Sequence, residues 1–162
     1  MKVNDQDIRQ AYTFYPGSDK LDASLTLMHA YGARINRTRM LATYAAIHHE
    51  LGHGSAMLYR YSGVEKEEST FVACAFWRVE ALANLDGMDE ANAAMSEIFD
   101  HLCDNGNIET FNEMFDVNTG LWRGNLPQGL SHLALICAAA ALSSQSIPAS
   151  LASGQRGVAD AD

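Results

Sequence analysis

The sequence predicts an all-α fold built as part of a double ring, with inner and outer helices following one another along the chain. Three observations carry that prediction. Apolar residues recur at helical spacing through the central region, with no convincing strand alternation. Successive helical segments differ in how far apolar character extends around their circumference. The connections between them alternate between short and long.

Five main helices are expected, at about 21–32, 37–51, 69–85, 88–103 and 127–142, with a weaker segment near 4–12. The stretch from Phe71 to Trp77 is apolar all round, as is Leu133 to Leu142. A helix apolar on every side is buried on every side. The 88–103 helix carries one stripe of Met88, Ala91, Met95, Ile98, Phe99 and Leu102, with Asp89, Glu90, Glu97 and Asp100 turned toward solvent. The 37–51 helix is also one-sided, with Leu41, Tyr44, Ile47 and Leu51 opposite Arg39, Thr43 and Glu50. Counting 21–32 as inner, the order reads inner, outer, inner, outer, inner. Inner-to-outer connections are short (32–36 and 86–87), and outer-to-inner ones are long (52–68 and 104–126). Long loops gathered at one rim are where a rigid scaffold holds functional groups. Residues 1–145 read as one unit, and the Ser-, Ala- and Gly-rich stretch 146–162 as a flexible tail.

Composition bounds the function. The chain has 162 residues, enough for one domain, and a formal charge of −9. Such a charge excludes a nucleic-acid or anionic-membrane partner, which needs clustered Lys and Arg. The longest apolar run, Leu133 to Leu142, falls well short of the ~20 residues of a membrane helix. The start Met1-Lys2-Val3-Asn4-Asp5 lacks an apolar signal region, so a cytoplasmic location is expected. Cys74, Cys103 and Cys137 lie in apolar helical stretches and read as reduced, buried thiols.

Several motifs carry chemistry. His49-Glu50-Leu51-Gly52-His53 fits H-E-x-x-H, in which two histidines one turn apart bind zinc. Gly52 and Gly54 sit where this helix should end, so a zinc metallopeptidase is kept only as a distant alternative, and no metal or other cofactor is expected. Tyr59-Arg60-Tyr61 places a guanidinium between two aromatic rings, a set suited to sugar hydroxyls and sugar C–H faces. The competing structural role for Arg60 is a salt bridge to Glu65, Glu67 or Glu68. Glu113, flanked by Phe111, Met114 and Phe115, is a carboxylate whose desolvation would suit a general base; an isolated loop glutamate is otherwise a solvated charge. Pro127 is placed at the first turn of the last helix.

Together and in order, these segments resemble glycoside hydrolase family 15, which contains glucoamylases, glucodextranases and bacterial trehalases. Leu21-Asp22-Ala23-Ser24-Leu25 resembles its L-D-A-S-L start. Leu58-Tyr59-Arg60-Tyr61 and Glu68-Ser69-Thr70-Phe71 are similar to L-x-R-Y and E-G-[AT]-F. Cys74 to Ala83 is similar to C-S-F-W-L-V-E-A-L-A, with Asp89-Glu90-Ala91 following at the expected distance. Asn112 to Asp116 resembles S-E-E-x-D, and Gly124 to Ile136 resembles G-N-F-P-Q-A-F-S-H-L-A-L-I. The resemblance covers about residues 14–142.

It implies a partial (α/α)6 barrel, about half of the full twelve-helix toroid, as the carboxy-terminal part of the catalytic domain. It implies inverting hydrolysis of α-glucosides, in which an acid protonates the leaving oxygen and a base about 6.5–9.5 Å away activates water. On this resemblance Glu113 is the catalytic base, Arg60 binds sugar, and Tyr61, Glu68, Asp22 and Trp77 belong to the substrate pocket. The family's general acid lies in a tryptophan–glutamate motif upstream, and nothing before Asp22 matches it. Ser69 replaces the family's glycine, and Glu109-Thr110 stands where a glycine–leucine pair is expected. The chain is therefore read as a fragment acting on an α-glucoside or oligosaccharide, inactive alone, with the missing amino-terminal half or a homo-oligomer as partner. The alternative is a non-catalytic, carbohydrate-binding or degenerate remnant. A cut barrel would also expose the apolar faces of its inner helices.

Overall fold

A computed structural model describes residues 10–85, 87–103 and 110–145. The predicted tail at 146–162, most of the 4–12 segment and Glu109 lie outside the described residues.

The first inner element is shorter and tighter than the periodicity predicts. It is a six-residue 3-10 helix, Ala23–Met28, rather than an α-helix over 21–32. Asp22 caps it, its side chain accepting a hydrogen bond from the Ser24 N–H at 2.7 Å. Among the described residues four α-helices follow: α1 (Arg37–Glu50), α2 (Val72–Asn84), α3 (Met88–Leu102) and α4 (Gly129–Gln145). The Asn36 side chain caps α1 by accepting from the Arg39 N–H. Helix α2 starts three residues later than predicted because Thr70–Phe71 (β1) is drawn into a small sheet. Helix α4 starts after Pro127, whose peptide bond with Leu126 is cis, so Pro127 precedes the first turn rather than occupying it.

The alternation of inner and outer elements is present. Helix α2 packs against Ala23–Met28, α3 and α4; α1 packs against Ala23–Met28, and α3 also reaches α4. The inner series is thus Ala23–Met28, α2 and α4, with α1 and α3 outside it, which makes a partial helical barrel. Phe71 to Phe76 is fully buried, and Trp77 is half-buried.

The outer helices differ from the prediction in one detail. Thr43 of α1 is buried, while Leu41 is 43% exposed. Thr43 can be buried because its hydroxyl is satisfied twice: it donates to Arg39 O and accepts from the Tyr12 N–H, both at 2.8 Å.

Helix α4 departs further. Ser131, Ala134, Ala138 and Ala141 form a buried face of small side chains, which allows close approach to α2. On the opposite side Leu133 and Ile136 are 60% and 62% exposed. An apolar helix is buried all round only when something covers each side, and no described residue of this chain covers this one. The same geometry corrects the cysteine reading: Cys74 is buried and Cys103 half-buried, but Cys137 is exposed, and all three are free thiols.

A three-stranded antiparallel sheet, ordered β1, β2 (Met114–Asp116), β3 (Leu121–Arg123), is present that the helical pattern does not predict. Phe71 pairs with Met114, and Phe115 with Trp122. The Thr70 hydroxyl donates to Phe115 O at 2.6 Å. Strands of two or three residues are too short for a period of two to register.

Where α1, α2 and α3 meet, Arg78 is buried and donates to Glu90 at 3.1 Å. Burial, and then the charge of Arg78, hold the His48 imidazole below its ordinary value of 6.5. Below that pH the unfolded chain binds more protons than the folded one, so stability falls as pH falls through this window. Urea denaturation at about pH 7.5 and about pH 5.5 should show a larger loss on acidification for the native sequence than for His48→Gln. Equal losses would remove His48 from the account.

Candidate active site

The amino-terminal end of α2 collects the segments on which the candidate residues lie. Phe71 N–H donates to Leu58 O at 2.8 Å, and Tyr59 N–H to Leu51 O at 2.9 Å. Ala23 N–H donates to Arg60 O at 2.8 Å, and Asp22 forms a β-bridge with Tyr61. Arg60 is therefore held by its backbone between the first inner element and β1.

Its guanidinium grips Glu68 with two nitrogens: Nε donates to Oε2 at 2.7 Å, and Nη2 to Oε1. A bidentate arginine–carboxylate pair fixes orientation as well as charge. The Glu68 hydrogen bond is the main cause that raises the Arg60 pKa. The Arg60 Cζ lies 5.5 Å from the ring centroids of both Tyr61 and Phe71. The pair stays accessible, with side chains 40% and 25% exposed. Of the three acidic partners considered for Arg60, the structure selects Glu68.

Glu113 is anchored from two sides. Its carbonyl accepts from the Val72 N–H, the first residue of α2, at 3.1 Å, and its N–H donates to Asn125 O at 3.0 Å. Its Oε2 accepts from Asn125 Nδ2 at 2.9 Å and from Asn125 N at 3.2 Å. The flanking Phe111 and Phe115 turn into the core, so Glu113 is half-buried and met by polar donors instead of being wrapped by apolar side chains. Gly124, at φ +75°, passes so close that an added Cβ would sit 2.7 Å from Glu113 Oε2 and 2.8 Å from its Cβ.

The first turn of α4 fastens the same loop. Gln128 N–H donates to Phe111 O at 2.9 Å, and the Ser131 hydroxyl to Asn112 O at 2.9 Å. Phe111 N–H donates to His132 Nε2 at 3.2 Å, which places the imidazole proton on Nδ1, facing Gln128 O at 2.8 Å. Across the hairpin, Arg123 Nη2 donates to Asp116 Oδ2 at 3.1 Å. Hydrogen bonds from Thr119, Asn118 and Arg123 hold the Asp116 carboxyl below the usual carboxylate value, that of the Thr119 side chain being the largest.

A cavity of about 260 Å3 opens between residues 66–69 and the β2–β3 hairpin, walled by Glu68, Ser69, Met114, Asp116 and Arg123. That is below the roughly 300 Å3 at which drug-sized ligand pockets begin, and suits a small polar molecule. Glu68 lines it. Glu113, one residue before Met114, does not. Asp22 places its carboxylate on the Ser24 cap, and its charge, like those of Arg60 and Glu68, also acts on the Cys74 thiol. Burial is the main cause that pushes the Cys74 thiol up. Trp77 lies one turn further along α2, packed on the core, and no hydrogen bond joins it to the Arg60 cluster among the described residues.

The H-E-x-x-H stretch is split. Helix α1 stops at Glu50, whose carboxylate accepts from the Ser62 hydroxyl. His49 is exposed, and His53 lies beyond the helix at φ +48°. The two histidines do not share one helical face. Among the described residues no group of three His, Cys, Asp or Glu is placed to hold a metal ion.

The sequence singled out Arg60, Glu68 and Glu113 but missed Gly124, Asn125, Ser131 and His132 as the parts that hold the Glu113 loop. Their signal was the block at 124–132, which reads as a helix start and as part of a family-like motif but does not reveal that it supports Glu113.

The chain matches no protein-family model and no solved structure. It is similar to curated trehalases. That of Thermoplasma acidophilum is 31% identical over 130 residues, covering 78% of this chain and 22% of that protein. That of Mycolicibacterium smegmatis is 35% identical over 143 residues, covering 80% and 20%. That of Mycobacterium tuberculosis is 31% identical over 138 residues, covering 80% and 20%. The chain spans about a fifth of the length of these curated relatives. Over about four-fifths of its own length, then, it is similar to trehalases, and its resemblance is to a trehalase-like glycosidase.

Proposed function

We propose that the chain is the carboxy-terminal part of a family 15 glycosidase catalytic domain, contributing the base and a sugar-orienting arginine to inverting hydrolysis of α-glucosides. The observation that carries this reading is the anchoring of Glu113. A carboxylate fixed through both backbone groups and two Asn125 donors can receive a proton from water without first reorganising. The activated water would attack the anomeric carbon, and the glycosidic oxygen would take its proton from a carboxylic acid on a segment outside these 162 residues. Arg60, held by Glu68, has donors left for sugar hydroxyls, and Tyr61 offers a flat face beside it. The name shared by the relatives favours α,α-trehalose over maltose-type substrates. The partner is the amino-terminal part of the toroid, seated where α4 shows Leu133 and Ile136.

Incubated alone with trehalose, maltose or dextrin, the chain is expected to release no glucose. Robust release, abolished by Glu113→Gln, would overturn the reading by requiring an acid within this chain, such as Glu68.

A further inference from the structure

The wedge between the two outer helices and α2 holds a second cavity, of about 510 Å3, in which the proposed active-site residues take no part. Helices α1 and α2 run antiparallel here, with Arg37 Nη2 donating to Leu85 O at 2.8 Å at one end and His48 beside Arg78 at the other. Leu41, Ala45 and Leu82 therefore line an apolar end, and His48, Arg78 and Glu90 a polar one. A concave, mainly apolar volume with a few polar groups at one end is the usual form of a small-molecule site.

Arg78 is the unusual member. The inner-helix motif this chain resembles has leucine at that position, whereas Arg78 is a guanidinium only 4% exposed. One terminal nitrogen donates to Glu90, and Nε has no acceptor among the described residues. Nε is itself closed off and calls for no occupant, but Arg78 forms part of the cavity wall, and a guanidinium carries five N–H donors of which the described structure pairs one with Glu90. The surrounding charges decide what kind of acceptor suits them. Glu90 already neutralises Arg78, Glu97 adds a second negative charge within electrostatic reach, and burial beside Arg78 disfavours protonation of His48. The polar end has no spare positive charge to hold an anion, but it has donors to spare.

We propose that this cavity binds a small neutral molecule with an apolar body and one carbonyl oxygen, which accepts from the Arg78 guanidinium. The proposal is independent of the glycosidase reading and is tested by affinity alone. The full chain would be titrated with acetophenone, ethylbenzene and benzoate, followed by NMR. Acetophenone should bind saturably, ethylbenzene roughly tenfold more weakly for want of an acceptor, and benzoate more weakly than acetophenone. Arg78→Leu, which installs the motif's own residue, should abolish the preference for acetophenone over ethylbenzene. Leu82→Trp, which fills the apolar end and leaves Arg78 in place, should abolish binding of both. Absence of saturable acetophenone binding to the native sequence would overturn the proposal, leaving ordered water as the acceptor. So would tighter binding of benzoate, a preference that persists in Arg78→Leu, or binding that survives Leu82→Trp.

Discussion

Replacing Gly124 with alanine is expected both to destabilise the chain and to dislodge Glu113. At φ +75° any residue with a Cβ pays for the left-handed backbone, roughly 1–2 kcal/mol. The steric conflict adds to that cost. The new methyl would meet Glu113 Cβ at 2.8 Å as well as Oε2 at 2.7 Å. A carboxylate tip could rotate away, but Cβ is fixed by the two backbone hydrogen bonds of Glu113 to Val72 and Asn125. The pairing of β2 with β3, or the Glu113 anchor, must give. Denaturant titration reads the stability loss, and NMR shifts of the Asn125 side-chain amide read the broken contact with Oε2. An alanine variant with native stability and unchanged Asn125 signals would show that Gly124 is incidental.

Phe76→Ala should cost more in stability, about 3–5 kcal/mol, the range for removing a fully buried ring. Phe76 has no exposed surface and lies in the first half of α2. Its ring meets Phe99 of α3 at a centroid distance of 6.3 Å and Phe111 at 5.9 Å. Phe111 is the residue whose backbone is clasped by Gln128 and His132, so a void at Phe76 reaches the loop that carries Glu113. Phe76→Leu refills most of the volume and should cost much less. Equal losses for the two variants would mean that ring packing is not what joins the helices to the Glu113 loop.

The inner–outer alternation was legible because it rests on circumference: Phe71 to Phe76 cannot lie on a surface, and the 88–103 stripe cannot be buried on both sides. What was not legible depended on partners distant in sequence. Thr43 is buried because Tyr12 satisfies it, and a helical pattern records no such partner. The sheet joins residues 70–71 to 114–116 and 121–123 through strands too short to alternate. Leu133 to Leu142 shows the converse: its composition reports a buried helix, and the structure shows which side this chain leaves uncovered. At the candidate site, the ordered motifs name Arg60, Glu68 and Glu113 as candidates, and Glu68 is one of the three nearby carboxylates that could pair with Arg60. The support of Glu113 by Asn125, and the closeness of Gly124, are geometric facts that spacing does not encode.

The central claim, that the rim carrying Arg60 and Glu113 recognises a glucose unit, is tested most directly by titrating the chain with α,α-trehalose while following its amide and arginine side-chain NMR signals. Saturable shifts are expected at the Arg60 Nε–H and at the Gly124 and Asn125 amides, and they should vanish in Arg60→Leu. Shifts absent from those groups, or unchanged when Arg60 is leucine, would contradict it.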